Sequence, residues 1–306
     1  MKIPRLVWRV LASFAALLIA AGLAIGWAWL YLHPRVQRTD GVVYGERHGR
    51  KLALDVLRPA RPNGFGVALM VSGGWKSGSA GSFQPWIAAP LLRRGYTIFA
   101  VYHVSQPEAT VMEIVEDVNR AVRYIRYHAK EYGVSSQRLG VTGGSAGGHL
   151  SLMLATRGGP GPANATDPVD QESSAVQTVA IFYPVTDLLN LGRSTENTGD
   201  GGPPKSFIKA FGPDSTNLVA WKTRIGRDMS PIYFLNSNLP PTLIYHGDAD
   251  TLVPLDQSQR FQAEGQKLGC QIKVVVHHGG KHGWYSMIWD LRRFGAWFDR
   301  YLRAPS

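Results

Sequence analysis

The sequence predicts an α/β fold, a mainly parallel sheet with helices on both faces. Three observations carry this. Apolar runs of strand length alternate with longer segments whose apolar residues recur at helical spacing. The loops that bear reactive side chains follow directly after apolar runs, at strand ends. The chain of 306 residues, 44% of them hydrophobic, can bury a full core in one domain.

Taken in order, residues 41–44 and 51–57 read as an N-terminal hairpin, and residues 67–71 and 97–102 as strands. Between residues 111 and 132, Ile114, Val115, Val118, Val122 and Ile125 mark one face of a helix. A strand at 139–142 leads into a helix over 146–156, and strands at 176–182, 242–245 and 272–277 continue the sheet. Helices are expected at 255–268 and 284–302, the last with a core stripe of Ile288, Leu291, Phe294, Phe298 and Tyr301. The alternation breaks between Asp187 and Ser230. A turn-rich stretch there precedes Phe207, Ile208, Phe211 and Trp221. Residues 188–230 are therefore expected to form a small cap over the cleft, the alternative being an excursion packed on the sheet.

Gly143-Gly144-Ser145-Ala146-Gly147 follows the 139–142 strand and fits the G-x-S-x-G nucleophile elbow. A strand turning sharply into a helix strains the serine backbone, and side chains at Gly143 or Gly147 would collide with neighbouring elements. The turn lifts the hydroxyl into a cleft and aims a helix N-terminus at developing negative charge. A serine nucleophile needs a base, and the base needs an orienting carboxylate. The loop after 242–245 reads His246-Gly247-Asp248-Ala249-Asp250, and the loop after 272–277 contains Gly279-Gly280-Lys281-His282-Gly283-Trp284. Asp250 matches the acid of an H-G-x-x-D-x-x-V-P pattern, with Asp248 as the alternative. Among nine histidines, His282 alone occupies a glycine-flanked loop just past a late strand. His149, in the helix after the elbow, reads as a packing residue. Backbone N–H groups of Gly73, Gly74 and Ala146 are the expected oxyanion donors, the glycine pair following the strand at 67–71.

With these motifs, Gly148 and Tyr183-Pro184-Val185-Thr186-Asp187, residues 40 to 303 resemble an α/β-hydrolase of the esterase/lipase type. The resemblance is nearest the acetyl-esterase and feruloyl-esterase-like group, whose oxyanion loop reads H-G-G-G-W. It implies the α/β-hydrolase fold, a serine esterase using Ser145, His282 and Asp250, and a small-molecule or carbohydrate ester as substrate. Here Val71 and Ser72 stand where that loop has its histidine and first glycine, so the bonds supporting the loop must differ. A peptidase or amidase of the same fold, or an inactive fold used for binding, are the alternatives.

No cluster has zinc-ligand spacing and no dinucleotide fingerprint opens an early helix, so neither metal nor cofactor is expected. The single Cys270 excludes an intrachain disulfide. At the N-terminus, Lys2, Arg5 and Arg9 precede an uncharged run over residues 10–32. As a helix this run spans about 34 Å, enough to cross a bilayer core. Trp27, Trp29 and Tyr31 stand at its far end, where an interfacial belt belongs. Residues 1–38 are thus expected to be a membrane anchor, with a cleaved signal peptide as the competitor, and residues 39–306 the hydrolase domain. The positive flank predicts a cytoplasmic N-terminus and an extracytoplasmic catalytic domain, periplasmic in a Gram-negative host; cleavage would give a secreted protein. The net charge of +11 contains no long Lys/Arg run outside the N-terminal flank, so no nucleic-acid partner is expected.

Overall fold

The computed structural model describes residues 4–303. It opens with helix α1 (Arg5–Leu32), long and apolar enough to cross a membrane, with its spanning stretch unburied. The strands are β1 (Val36–Arg47), β2 (Arg50–Pro59), β3 (Gly66–Met70), β4 (Thr97–Val101), β5 (Leu139–Gly144), β6 (Thr178–Phe182), β7 (Thr242–Gly247) and β8 (Ile272–His277). They form one sheet in the order β1-β2-β4-β3-β5-β6-β7-β8. The β1–β2 hairpin joins β4 antiparallel, and every pairing from β4 to β8 is parallel.

This is the α/β-hydrolase architecture. Helices α2 (Ala89–Arg93), α3 (Val111–Tyr127), α4 (Ala146–Arg157), α5 (Asp256–Lys267) and α6 (Met287–Leu302) cover the sheet. Ile114, Val118 and Val122 of α3, Leu150 and Met153 of α4 and Phe261 of α5 share one core. Leu91 and Leu92 of α2 and Leu291, Phe294 and Phe298 of α6 build the other. The central strands β4 and β6 are buried along their whole length, as sheets covered on both faces require. In α6, Leu291, Phe294 and Phe298 of the expected stripe are buried, while Ile288 and Tyr301 are half-buried.

Some boundaries differ from expectation for identifiable reasons. The hairpin strands are longer, because β1 pairs with β2 from Val36↔Pro59 onward. The strand therefore starts inside the segment expected to be anchor alone. The helix expected over 111–132 ends at Tyr127, followed by a separate turn at Ala129–Tyr132 closed by left-handed Gly133. Helix α6 starts at Met287 rather than at Trp284. Helix α2 has no counterpart in the sequence reading. Prolines at 85 and 90 punctuate that stretch, and each sits in the first turn of a short element that tolerates it.

Buried Asp55 of β2 ties the hairpin to the loop after β3. It accepts from Gly41 N at 3.1 Å, from Gly81 N at 2.9 Å and from Tyr102 Oη at 2.6 Å. The loop bearing Gly73 and Gly74 is thus held at its far end by a carboxylate on β2, two strands from β3 in the sheet.

Candidate active site

The elbow is built by sterics. Ser145 has φ +54° and ψ −121°, a conformation that an L-residue adopts only under constraint. A Cβ at Gly143 would lie 2.6 Å from the carbonyl of Gly147, and one at Gly147 would lie 2.6 Å from Met70 O. The two glycines let β5, α4 and β3 approach closely enough to hold that turn.

Three strand ends then converge. Ser145 Oγ lies 2.9 Å from His282 Nε2, and His282 Nδ1 lies 2.7 Å from Asp250 Oδ2. With Asp250 ionised, Nδ1–H donates to it and Nε2 is left to accept the serine proton. Burial pushes the Asp250 carboxyl up, but the imidazoles of His246 and His282 and the N–H of Val253 outweigh it and hold it well below the usual range. His246 Nε2 stands 3.6 Å from Asp250, too far to bond, and lies 2.7 Å from Val253 O. Its influence on Asp250 is one of proximity. Asp248 faces elsewhere, toward His278 Nδ1 at 2.8 Å and Gly279 N at 2.7 Å.

The expected oxyanion donors are not equivalent. Ala146 N, in the first turn of α4, and Gly74 N have no hydrogen-bond partner among the described residues. Gly73 requires a correction: its N–H donates to Lys76 O at 2.9 Å in a two-residue bridge, so it is not a free donor. That bridge shapes the loop and leaves Gly74 at φ +55°, with Phe207 close enough to collide with any Cβ there.

Ser145, His282, Gly73, Gly74 and Ala146 all line one cavity of about 400 Å³. Its walls are largely apolar, with Tyr183, Val185, Leu188, Leu191, Phe207 and Leu252 among them. Phe207 and Leu188 come from the 188–230 excursion, whose short helical turns pack Phe207 and Phe211 edge-on against Trp75. Glu196 also lines the cavity, and Ser206 donates to it from both N and Oγ.

The BD-FAE family model matches residues 54–264. The chain belongs to the BD-FAE family. Among relatives of this BD-FAE chain is a probable carboxylic ester hydrolase, LipM, of Mycobacterium tuberculosis. The two are 27% identical over 242 residues, 78% of this chain and 54% of LipM. Esterase LipQ of the same organism is 29% identical over 245 residues, 76% of this chain and 54% of LipQ. The chain thus spans about half the length of these curated relatives. Among solved structures, a carbohydrate esterase from gut microbiota superposes with TM-score 0.68 at 22% identity, covering 86% of this chain and 96% of that one. Thermogutta terrifontis esterase 2 does so with TM-score 0.63 at 25% identity, covering 89% and 97%.

Within this BD-FAE chain, several residues around the site make bonds that the sequence did not announce. In place of the missing loop histidine, Ser72 Oγ lies 2.9 Å from His103 Nε2. His103 Nδ1 lies 2.8 Å from Val104 O, which fixes Nδ1 as the donor and Nε2 as the acceptor of the Ser72 proton. Trp75 Nε1–H donates to His149 Nδ1 at 3.1 Å, and His149 Nε2 donates to Met229 O at 2.7 Å. His149 thus ties the loop after β3 to the end of the excursion, a bonding role and not packing alone. Burial pushes both His103 and His149 down to about 4, so both are neutral spacers. Tyr183, at φ +31°, lays its ring 4.5 Å from that of His282. Its motif context was the one signal that singled it out. Asp187 anchors the excursion: it accepts from Leu189 and Asn190 N–H groups and pairs with Arg260.

Proposed function

We propose that this chain hydrolyses carboxylic esters through an acyl-enzyme on Ser145. The observation that carries the reading is the unbroken Ser145–His282–Asp250 relay opening into a cavity beside two free backbone donors. Ser145 Oγ attacks the acyl carbonyl carbon as His282 Nε2 takes its proton. Asp250 holds the Nδ1–H and stabilises the imidazolium. Gly74 N–H and Ala146 N–H receive the oxyanion, while Gly73 shapes the loop between them and β3. Collapse breaks the carbonyl–alkoxy bond, and His282 returns its proton to the departing alcohol. Water, deprotonated by His282, then attacks the acyl-enzyme and frees the acid.

Residues 188–230 serve as a cap that narrows the acyl site through Leu188, Leu191 and Phe207. The substrate is a small-molecule ester; relatives named as isoprenylcysteine alpha-carbonyl methylesterase and a structural neighbour named as a carbohydrate esterase mark two alcohol classes to test. Helix α1 anchors the chain in a membrane, with the N-terminus in the cytoplasm and the catalytic domain outside it, periplasmic in a Gram-negative host. Support for this comes from the unburied apolar span and the basic residues Lys2, Arg5 and Arg9 at its N-terminal end.

The test uses p-nitrophenyl esters of graded acyl length, acetylated sugars and an aminoacyl anilide. Ser145→Ala should lower ester turnover by about a thousandfold or more with the circular dichroism spectrum unchanged. Near wild-type turnover in the folded variant would refute the assignment. Labelling by a fluorophosphonate separates an active serine from an inert fold, and preference for the anilide would move the reaction to amides.

A further inference from the structure

Helix α1 meets the catalytic domain in an informative direction. The pocket lies at the edge of the sheet where β3, β5, β7 and β8 end. The opposite edge holds the start of β1 at Val36 and the start of β4 at Thr97, shortly after Arg93. The last turn of α1 docks near that opposite edge. Arg93 Nε donates to Tyr31 O at 3.0 Å, and its guanidinium lies 5.6 Å from the Tyr31 ring.

One turn earlier in α1, Trp27 stacks on Trp289 with ring centroids 6.4 Å apart, and the Tyr31 side chain, leaning toward the helix N-terminus, lies 5.5 Å from the same ring. Trp289 belongs to the first turn of α6, which begins just beyond the His282 loop, toward the pocket edge. Helix α1 also lies against the turn Pro85–Ala88, which enters α2 from the pocket side. Read back from Leu32, α1 therefore climbs from the far edge of the sheet toward the pocket edge. Its remaining apolar residues continue beyond the domain on that side, with Leu23 and Ile25 each 70% exposed.

The surface where α1 leaves the domain is apolar too. Tyr285, three residues past His282, is fully exposed, and Trp86 and Ile87 of the neighbouring turn are 46% and 36% exposed. Aromatic side chains beside an emerging apolar helix suit the interfacial layer of a bilayer.

We propose that the bilayer receiving α1 lies across the pocket edge of the sheet, with Tyr285, Trp86 and Ile87 dipping into its interface, so that the cavity takes ester groups carried by membrane-resident amphiphiles. The inference rests on the membrane reading of α1 and on ester hydrolysis at Ser145. An anchor leaving from the far edge would hold the pocket away from the lipid. This one points it inward, and the apolar cavity wall suits acyl chains drawn from that layer.

The experiment uses the full chain with Cys270→Ser, leaving a single introduced thiol. Tyr285→Cys on the pocket side and Gln137→Cys, in the turn before β5 on the opposite edge, are each labelled with nitrobenzoxadiazole. The protein is reconstituted into phosphatidylcholine vesicles carrying nitroxide near the top of the acyl chain. Quenching at position 285 should exceed that at 137 by about fivefold. The double variant Trp86→Ser/Tyr285→Ser should hydrolyse a long-chain ester dispersed in the vesicles about tenfold more slowly, with p-nitrophenyl acetate turnover within about twofold of wild type. Equal quenching, or stronger quenching at 137, in protein that floats with the vesicles would overturn the proposed face. Protein that does not float would refute the anchor, and the proposal with it. Floated, quenched protein without Ser145-dependent hydrolysis would refute the substrate half alone.

Discussion

Asp248 and Asp250 stand two residues apart in one loop, yet they meet different partners: His278 for the first and His282 for the second. The imidazole must be held in the tautomer that leaves Nε2 free, and only the carboxylate on Nδ1 does this. Asp250→Asn should therefore lower kcat/KM by about three to four powers of ten, while Asp248→Asn stays within a few-fold of wild type. Steady-state kinetics on a p-nitrophenyl ester decides it, and the reverse ranking would move the role to Asp248. His103 and His149 make a second prediction at this scale. In the unfolded chain each titrates near 6.5; in the folded chain each is pushed down to about 4 by burial. Between those values the unfolded state holds more protons, so stability falls as pH is lowered. The loss is at most about 1.4 kcal/mol per pH unit for each histidine. The thermal midpoint should drop from pH 6.5 toward 4, and His103→Asn should flatten that slope. A slope unaltered by the substitution would exclude His103 as its source.

At the scale of elements, the elbow depends on how closely β5, α4 and β3 approach. Gly147→Ala drives a methyl group to 2.6 Å from Met70 O, a backbone atom of a central strand that cannot swing aside. Overpacking of this kind costs about 1–3 kcal/mol, and urea denaturation of the Gly147→Ala protein should show a loss in that range. Unchanged stability would mean that the strand and helix separate freely, contrary to the geometry. The same elements show what sequence makes legible. The elbow glycines, the acid loop and the histidine loop are local patterns with local steric causes. The Ser72–His103 and Trp75–His149 bonds join residues 31 and 74 positions apart, and no spacing rule announces them. Helix α2 escaped for a related reason: its run of Ala89, Pro90, Leu91 and Leu92 is buried throughout and has no alternation of polar residues to set a period.

At the scale of the whole molecule, helix α1 and the sheet meet at a short junction. Strand β1 already pairs with Pro59 from Val36, and Ala60 N–H donates to Arg35 O at 3.3 Å. Removing residues 1–34 leaves the sheet and every residue of the site in place. The truncated protein should fractionate as soluble and hydrolyse a water-soluble short-chain ester within about threefold of the full chain, since the site belongs to a domain with its own core. Aggregation or loss of turnover would show that the Trp27–Trp289 and Tyr31–Arg93 contacts support the domain rather than merely orient it.

The sequence by itself determined the alternation of strands and helices, the apolar N-terminal span and the three loops that bear serine, acid and histidine. These features are written in periodicity, in glycines that sterics demand, and in the length and apolarity of single runs. Only the tertiary structure decided which aspartate reaches His282, that Gly73 spends its N–H on Lys76, and toward which edge of the sheet α1 rises. Each of those outcomes depends on where distant segments stop against one another in three dimensions. Packing of side chains far apart in the chain sets that, and local pattern does not encode it.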